Sequence, residues 1–379
     1  MIYLIMTMTS VFLAVIHISY KDRYALSNRE GDYRKSLIAA VLSVLPFIIV
    51  AGFRYDVGTD YLYTYVPKFN EIANGQENYF EPGFYLLNKL IQLYTRDYFW
   101  LFLVCAVITY AIVFNCIFRY LNDPAFGILL FVITTGYFVS LNTTRQYIAI
   151  ALFLWSIRYI RSGEWWKYLI TIVIGAMFHT SILIMLPLYF LCRMRFRPVV
   201  SFATIGVAFA VTSLLRNLLT SLFANQRYGE YFDSYYDSGE TAVRFLLINL
   251  AILILGLICM KIGGNEETTE AIPGKPEEKE AEESKPYQCD DLNIYMQIQF
   301  VSTVVCACSG AIPLAYRIIW NFSSIQIFLI PIMLERIQNA WARNLAKGAV
   351  IASFTVLTIV TIFMNGEHGV VPYQSIFSK

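Results

Sequence analysis

The chain has 379 residues, of which 57% are hydrophobic and 15% are charged, and its formal net charge is +2. Soluble domains carry about 25% charged residues, so this composition, with a mean hydropathy of +0.54, excludes an ordinary soluble domain and indicates many membrane spans. The small net charge gives no reason to expect a nucleic-acid partner, and the seven cysteines, which form no CxxC pair, indicate neither a zinc site nor a disulfide framework.

Apolar runs long enough to cross a bilayer as helices recur along the whole chain. We predict an all-α polytopic membrane protein of about 10–12 transmembrane helices or half-helices, forming a single membrane-embedded domain over residues 1–379. The predicted spans are 1–19, 36–53, 98–118, 124–141, 147–162, 198–219, 242–261, 293–314, 318–335 and 348–364.

The run 165–191 is long for one helix and too short for two full spans. If it crosses once, the basic residues in 193–197 and 336–347 fall outside, against the preference of Lys and Arg for cytoplasmic loops. A broken, re-entrant hairpin that turns near His179 and Thr180 keeps every basic loop inside. We favour this hairpin, which would line a site because irregular backbone at membrane depth needs protein or a water-filled cavity around it. One long tilted helix is the alternative.

The segment 263–291 differs in composition from the rest of the chain. It holds eight glutamates and three prolines, with no aromatic residue before Tyr287. Such a segment cannot bury enough apolar surface to fold. We therefore predict a disordered acidic cytoplasmic linker that interrupts the membrane domain.

The predicted topology places unusual polar residues together on the outer side. The first large outer loop spans 54–97, and its residues 84–94 repeat apolar positions at helical spacing, which predicts an amphipathic helix lying in the interface. The candidate site residues of the outer side are Arg54, Asp56, Asp60, Tyr61, Arg145, Gln146, His179 and Arg317.

The arginines are candidates for binding pyrophosphate. Burying an arginine at mid-bilayer costs about 2.5–3.5 kcal/mol or more, and a guanidinium is a good planar donor to phosphate oxygens. Arg54, Arg145 and Arg317 therefore suggest a pyrophosphate clamp, with Gln146 beside it. The alternative is that each arginine reaches the lipid headgroups.

The remaining candidates have catalytic or sugar-binding interpretations. His179 is an ionisable group at membrane depth and so a site candidate, although a hydrogen-bonded core histidine is the alternative. Asp60 and Asp56 are further catalytic candidates, and at least one of them is expected instead to pair with Arg54 and order the loop. Tyr61 is a candidate for stacking on a sugar ring, but tyrosine is also enriched at every membrane interface.

Several stretches that contain these residues resemble the EpsG family, a branch of the Wzy-like polysaccharide polymerases. The matching stretches, which run from about residue 50 to the end, are RYDVGTDY at 54–61, EPGFYLLN at 81–88, NTTRQYIA at 142–149, FHTS at 178–181, AYRIIW around Arg317, and PY at 372–373. The resemblance implies a GT-C-like membrane glycosyltransferase that acts on undecaprenyl-pyrophosphate-linked repeat units. No cofactor is expected.

We therefore expect a polymerase of exopolysaccharide, capsule or O-antigen at the outer face of the bacterial cytoplasmic membrane. The lipid pyrophosphate is already an activated leaving group, so the protein must supply charge stabilisation for it and a base for the attacking hydroxyl. A direct displacement inverts the anomeric carbon, whereas Asp56 and Asp60 leave a double displacement formally open. No DxD pair occurs in an outer loop, so we expect a metal-independent enzyme without a metal site.

Two other functions use similar features. A ligase or acyltransferase on the same lipid-linked substrates would share the arginines and the histidine. A non-enzymatic flippase or transporter would carry charges along several helices, whereas the predicted span interiors here are nearly free of acids and bases. Expected partners are the lipid-linked oligosaccharides and the bilayer, and a flippase and a chain-length regulator are candidate protein partners.

Overall fold

The computed structural model describes residues 1–76, 80–223, 227–232, 234, 237, 239–264 and 291–378. Residues 265–290 of the predicted linker lie outside these ranges. Regular structure in the described residues is helical, apart from one isolated antiparallel bridge between Arg54 and Ser375, so the predicted all-α fold is confirmed. In chain order the α-helices are α1 (Ile2–Ser27), α2 (Glu30–Gly52), α3 (Val66–Ala73), α4 (Pro82–Gln92), α5 (Phe99–Tyr120), α6 (Pro124–Ile133), α7 (Gly136–Asn142), α8 (Thr144–Ser162), α9 (Trp165–Ala176), α10 (Leu188–Leu191), α11 (Pro198–Ala210), α12 (Thr212–Phe223), α13 (Val243–Gly264), α14 (Asp291–Ala307), α15 (Ala315–Ser323), α16 (Gln326–Glu335) and α17 (Ala340–Thr358).

The described ranges contain long apolar helices and also two shorter ones of 10–17 residues, Trp165–Ala176 and Thr180–Leu191. Within the described ranges, 6 helices are long and apolar enough to cross a membrane, or up to 8 if each of two bent pairs is one span. One bent pair is α6 with α7, which meet at 56° beside Thr135, whose φ of 67° cannot continue a right-handed helix. The other is α11 with α12, at 62°. The chain is therefore a multi-pass membrane protein with broken helices.

The run 165–191 is broken at the predicted position. Helix α9 ends at Ala176, and a short 3₁₀ helix begins at Thr180. Between them His179 has an extended backbone, with φ −158° and ψ 116°. The run is thus not one continuous α-helix, and its re-entrant path through the membrane stays a prediction.

The chain separates into two compact units. The first comprises Met1–Leu186, Gln326–Pro331 and Gly348–Lys379, and the second comprises Pro187–Ile325 and Ile332–Lys347. In the first unit α1 packs along α2, α2 along α5, α5 along α8, and α8 along α9.

Aromatic side chains fix the first large loop on the helices of the first unit. The buried residues of this cluster are Tyr61, Tyr65, Phe69, Phe84 and Ile91 from the loop, Leu101, Phe102 and Cys105 from α5, and Ile148 from α8. Burying one such large side chain contributes roughly 1.5–3 kcal/mol. The loop is therefore a packed platform above α5 and α8.

Helix α4 lies where the amphipathic helix is predicted, and it has apolar residues on two sides: Phe84 and Ile91 are buried in the cluster, and other apolar residues face outward. Leu86 and Leu90 are about half exposed, whereas the polar side chains Lys89 and Gln92 donate hydrogen bonds to the carbonyls of Ile72 (2.8 Å) and Phe69 (2.7 Å) in α3. A helix with an exposed apolar side above membrane helices is typical of one lying in the lipid interface.

Polar contacts organise the second unit. Asn249 of α13 accepts hydrogen bonds from Gln299 (2.8 Å) and Ser302 (2.8 Å) of α14. Arg216 of α12 forms an ion pair with Asp237, and this carboxyl group is almost fully buried. These contacts satisfy polar groups that would be costly to bury alone.

Candidate active site

Arg54 is the centre of a hydrogen-bond network inside the first unit. Its side chain is 2% exposed. The guanidinium donates to the carbonyls of Val57 (3.2 Å) and Leu141 (3.2 Å), to the hydroxyl of Thr144 (3.0 Å), and to the carbonyl of Ala51. An arginine has five N–H donors, so these protein acceptors use most of them.

The C-terminal segment holds the same loop from the other side. The backbone N–H of Gly58 donates to the carbonyl of Gly369 (2.9 Å), and that of Thr59 donates to the carbonyl of His368 (3.0 Å). Gly58 has φ +100°, and a Cβ there would lie 2.7 Å from the carbonyl oxygen of Leu141. Glycine is therefore required at residue 58 by both conformation and space.

The other predicted residues of this loop have different surroundings. Asp56 is exposed and has φ 51°, and Asp60 is half-buried, with its backbone N–H donating to the side-chain oxygen of Asn142 (2.9 Å). Tyr61 is buried, and its ring stacks on that of Phe102 with centroids 4.0 Å apart. The ring face that a sugar would need is thus covered on that side.

Glu81 brings two of the predicted site residues together. One carboxylate oxygen, Oε2, accepts a hydrogen bond from Nη1 of Arg145. The other, Oε1, lies 3.1 Å from Nδ1 of His179 and accepts from the backbone N–H of Thr180 at 3.2 Å. The side chains of Glu81, His179 and Arg145 are 11%, 14% and 21% exposed to solvent, respectively. They are largely enclosed but still reach the surface.

Local backbone structure explains why Glu81 lies there. Pro82 starts α4, a position where its missing N–H is not needed. The backbone N–H groups of Gly83 and Phe84 both donate to the carbonyl of Met177, at 2.8 and 3.2 Å, which follows α9. A Cβ on Gly83 would lie 2.7 Å from Cβ of Met177. Close approach at Gly83 therefore places Glu81 against the break that carries His179.

The two partners come from separate elements of the same unit, Arg145 from α8 and His179 from the break after α9. Arg145 is in the first turn of α8, and its guanidinium also lies over the ring of Phe80, 4.9 Å from the centroid. Its backbone N–H donates to the hydroxyl of Tyr65 at 3.3 Å. Gln146 is buried next to it. Arg145 is therefore held on a regular element rather than on a mobile loop.

The electrostatics of the cluster favour an ionised Glu81. Burial alone would raise the pKa of its carboxyl group, but the hydrogen bond with His179 and the charge of Arg145 act in the opposite direction. The net result is a pKa of about 2. Glu81 is therefore a carboxylate at neutral pH and accepts hydrogen bonds only.

This arrangement has chemical consequences for its two partners. Because an ionised carboxylate cannot donate, Nδ1 of His179 must carry the proton in their hydrogen bond, so in the neutral form of the ring Nε2 is the acceptor. Arg145 uses one N–H on Glu81, and a guanidinium has four more. The cluster can thus offer a base and a donor to an anionic oxygen.

Sequence reasoning did not include Glu81 among the site residues. The signal for it is an acid directly before Pro82 and Gly83 in an outer loop. Its partners are 64 and 98 residues away along the chain, so no local pattern reveals the contact. Arg317 is half-buried in α15 of the second unit, and its assignment to the pyrophosphate stays a prediction.

The described residues contain no group of three or more His, Cys, Asp or Glu side chains that could hold a metal ion. The fold and these contacts define a class of protein. It is a multi-pass helical membrane protein in which the first large loop, α8 and the break after α9 together form a Glu–Arg–His cluster.

The sequence profile of the EpsG family matches residues 37–375, which is most of the chain and includes every predicted site residue. The chain belongs to the EpsG family. Comparison with curated proteins and with solved structures gives no significant match. Family membership supports an exopolysaccharide-associated, polymerase-like function of the glycosyltransferase type.

Proposed function

We propose that this protein is a polymerase that joins undecaprenyl-pyrophosphate-linked oligosaccharide repeat units at the outer face of the bacterial cytoplasmic membrane. The observation that carries the proposal is the contact of one carboxylate, that of Glu81, with both Arg145 and His179. The polymerase reaction needs a base for a sugar hydroxyl and a donor for a departing pyrophosphate. His179 and Arg145 are groups of these two kinds, held in one place.

The proposed step is a single displacement. The hydroxyl oxygen of the incoming unit bonds to the anomeric carbon while the bond from that carbon to the pyrophosphate oxygen breaks. Nε2 of His179 takes the hydroxyl proton, and Arg145 donates to the pyrophosphate that leaves with the lipid. One displacement inverts the anomeric configuration, and the guanidinium supplies the positive charge without a metal.

The other predicted residues take supporting or alternative roles in the proposal. Asp60 is the alternative base, and Asp56 is too exposed for a comparable pre-organised role. Arg317 is proposed as a second pyrophosphate donor. Because Arg54 and Tyr61 are buried among protein partners, we assign them to holding the loop instead of to the substrate. A GT-C-like architecture and partnership with a flippase and a chain-length regulator belong to the same proposal.

The test is deletion of the gene followed by analysis of lipid-linked oligosaccharides. A polymerase deletion accumulates single repeat units on the lipid. Full-length polymer left on lipid would indicate a ligase, and units trapped inside the cell would indicate a flippase, so either result would overturn the proposal.

Complementation then tests the residue roles. The His179→Ala variant, at wild-type membrane abundance, should lose about 10²- to 10⁴-fold in polymerisation rate, the usual contribution of a general base. The Asp60→Asn variant should polymerise at a rate near that of the wild type. The reverse pattern would transfer the base role to Asp60.

A further inference from the structure

We propose that Glu81 is a positioning residue for the polymerase reaction, which orients His179 through one carboxylate oxygen and Arg145 through the other. This inference rests on the proposed function. It assigns to Glu81 no contact with substrate; its effect is exerted through its two partners.

The two carboxylate oxygens of Glu81 have different partners, and this supports the positioning role. Oε1 contacts Nδ1 of His179 at 3.1 Å and the N–H of Thr180 at 3.2 Å, whereas Oε2 accepts from Arg145. The N–H of Thr180 belongs to the residue after His179, so both the ring and the backbone at the break are tied to one oxygen. A histidine held at Nδ1 by a carboxylate has its tautomer and ring orientation defined, and in the neutral ring Nε2 is then the proton acceptor.

The same contacts argue against Glu81 as the base or the nucleophile. Three groups donate to its carboxylate. Two of them are the side chains of Arg145 and His179, and the third is the backbone N–H of Thr180. A group stabilised so strongly as an anion is a weak proton acceptor near neutral pH, where an efficient base has a pKa close to the working pH. The positioning role uses the anion as it stands.

Contacts made by the residues next to Glu81 hold its carboxylate in this position. Gly83 and Phe84 are hydrogen-bonded to Met177, and Phe80 packs its ring against the guanidinium of Arg145. The short segment 80–84 thus contacts α8 at one end and the break after α9 at the other. Loss of the Glu81 carboxylate would remove the connection between the base and the pyrophosphate donor without removing either group.

The experiment is a double-mutant cycle on Glu81→Gln and His179→Ala, with turnover measured on purified lipid-linked repeat units. Glutamine keeps the shape of the side chain but not its charge. We expect Glu81→Gln to lower kcat about 10²-fold with little change in KM. Glu81→Gln should therefore slow the His179→Ala protein by much less than it slows the wild type, because the part of its effect that acts through the base has nothing left to contribute once the base is gone, and only the part that acts through Arg145 remains.

Glu164→Gln is the matched control. Glu164 is another acid of the first unit, directly before α9, and it pairs with Lys167. Its substitution should leave turnover unchanged. If the Glu81→Gln protein does not reach the membrane, Glu81→Asp retains the charge on a shorter side chain and should insert while showing a reduced kcat.

The outcomes separate the inference from the proposed function. Additive losses in the cycle would mean that Glu81 acts independently of His179, and a wild-type kcat for Glu81→Gln or Glu81→Asp would mean that its carboxylate positions nothing; both overturn the inference. Those results would leave the polymerase and its base intact if His179→Ala is still inactive. Unimpaired turnover of His179→Ala would instead overturn the base role on which the inference depends.

Discussion

The guanidinium of Arg54 donates a 3.0 Å hydrogen bond to the hydroxyl of Thr144, the residue directly before Arg145. This contact joins the start of the first outer loop to the start of α8. The buried charge of Arg54 has a structural role, because its guanidinium also donates to backbone carbonyls, including those of Val57 and Leu141.

Replacing Arg54 should therefore affect stability first. Arg54→Met removes the charge and leaves several buried acceptors unpaired, at roughly 1–3 kcal/mol for each group. We expect a clear loss of thermal stability in detergent and a smaller loss for Arg54→Lys, which retains three donors. Arg34→Lys, at an exposed pair with Glu30, is the control and should melt like the wild type. A fully stable but inactive Arg54→Lys protein would point instead to substrate binding.

Gly83 provides a test of the backbone contact that places Glu81. A methyl group at residue 83 would lie 2.7 Å from Cβ of Met177 and 2.9 Å from its carbonyl oxygen. Gly83→Ala should push α4 away from the break and lower the polymerisation rate at equal membrane abundance, by at least about tenfold if the base loses its orientation. Gly31→Ala, where nothing lies within 4 Å, should be neutral. Equal activity of the two variants would mean that the contact is dispensable.

Some features of this protein can be predicted from its sequence, and others cannot. Composition and hydropathy predict the helical membrane fold because span length and apolar content are local properties. The break at His179 follows from the charges of distant loops, which constrain topology. The Glu81 contacts and the burial of Arg54 depend on tertiary packing across dozens of residues. The sequence around a polar residue in an outer loop does not show whether the partner of that residue is a carbonyl, a carboxylate or a substrate.

The orientation of the chain and the re-entrant path of 165–191 are open to cysteine labelling in intact cells. Asn74→Cys, in the first large loop, should react with an impermeant reagent, and Gly31→Cys should react only after permeabilisation. Ala340→Cys decides the hairpin, since it is cytoplasmic only if 165–191 returns to its own side. The parent protein controls for native thiols. Labelling of residue 340 from outside would contradict the hairpin.

In the proposed mechanism arginine side chains stabilise the departing pyrophosphate, and we therefore predict that the enzyme needs no metal ion. A guanidinium can neutralise the departing oxygens through charge-assisted hydrogen bonds, so the purified enzyme should keep its turnover rate in excess chelator. The measurement is polymer formation from lipid-linked units before and after chelation. A loss that magnesium or manganese restores would refute this part of the mechanism.

Arg145→Lys is the sharpest test of the proposed pyrophosphate donor. Lysine keeps the positive charge, so it can still pair with Glu81, but it lacks the planar fork that binds two oxygens at once. If Arg145 stabilises charge that develops on the leaving group, the variant should lose about 10²- to 10³-fold in kcat, with normal insertion and stability.

The control for this substitution is Arg158→Lys, at the other end of α8, where the guanidinium contacts the rings of Trp155 and Tyr159. That variant should polymerise at the wild-type rate. If Arg145 only anchors Glu81 or the end of the helix, lysine should replace it almost fully. Near-normal polymer formation by the Arg145→Lys variant would then remove Arg145 from the mechanism as a pyrophosphate donor and leave that role to Arg317.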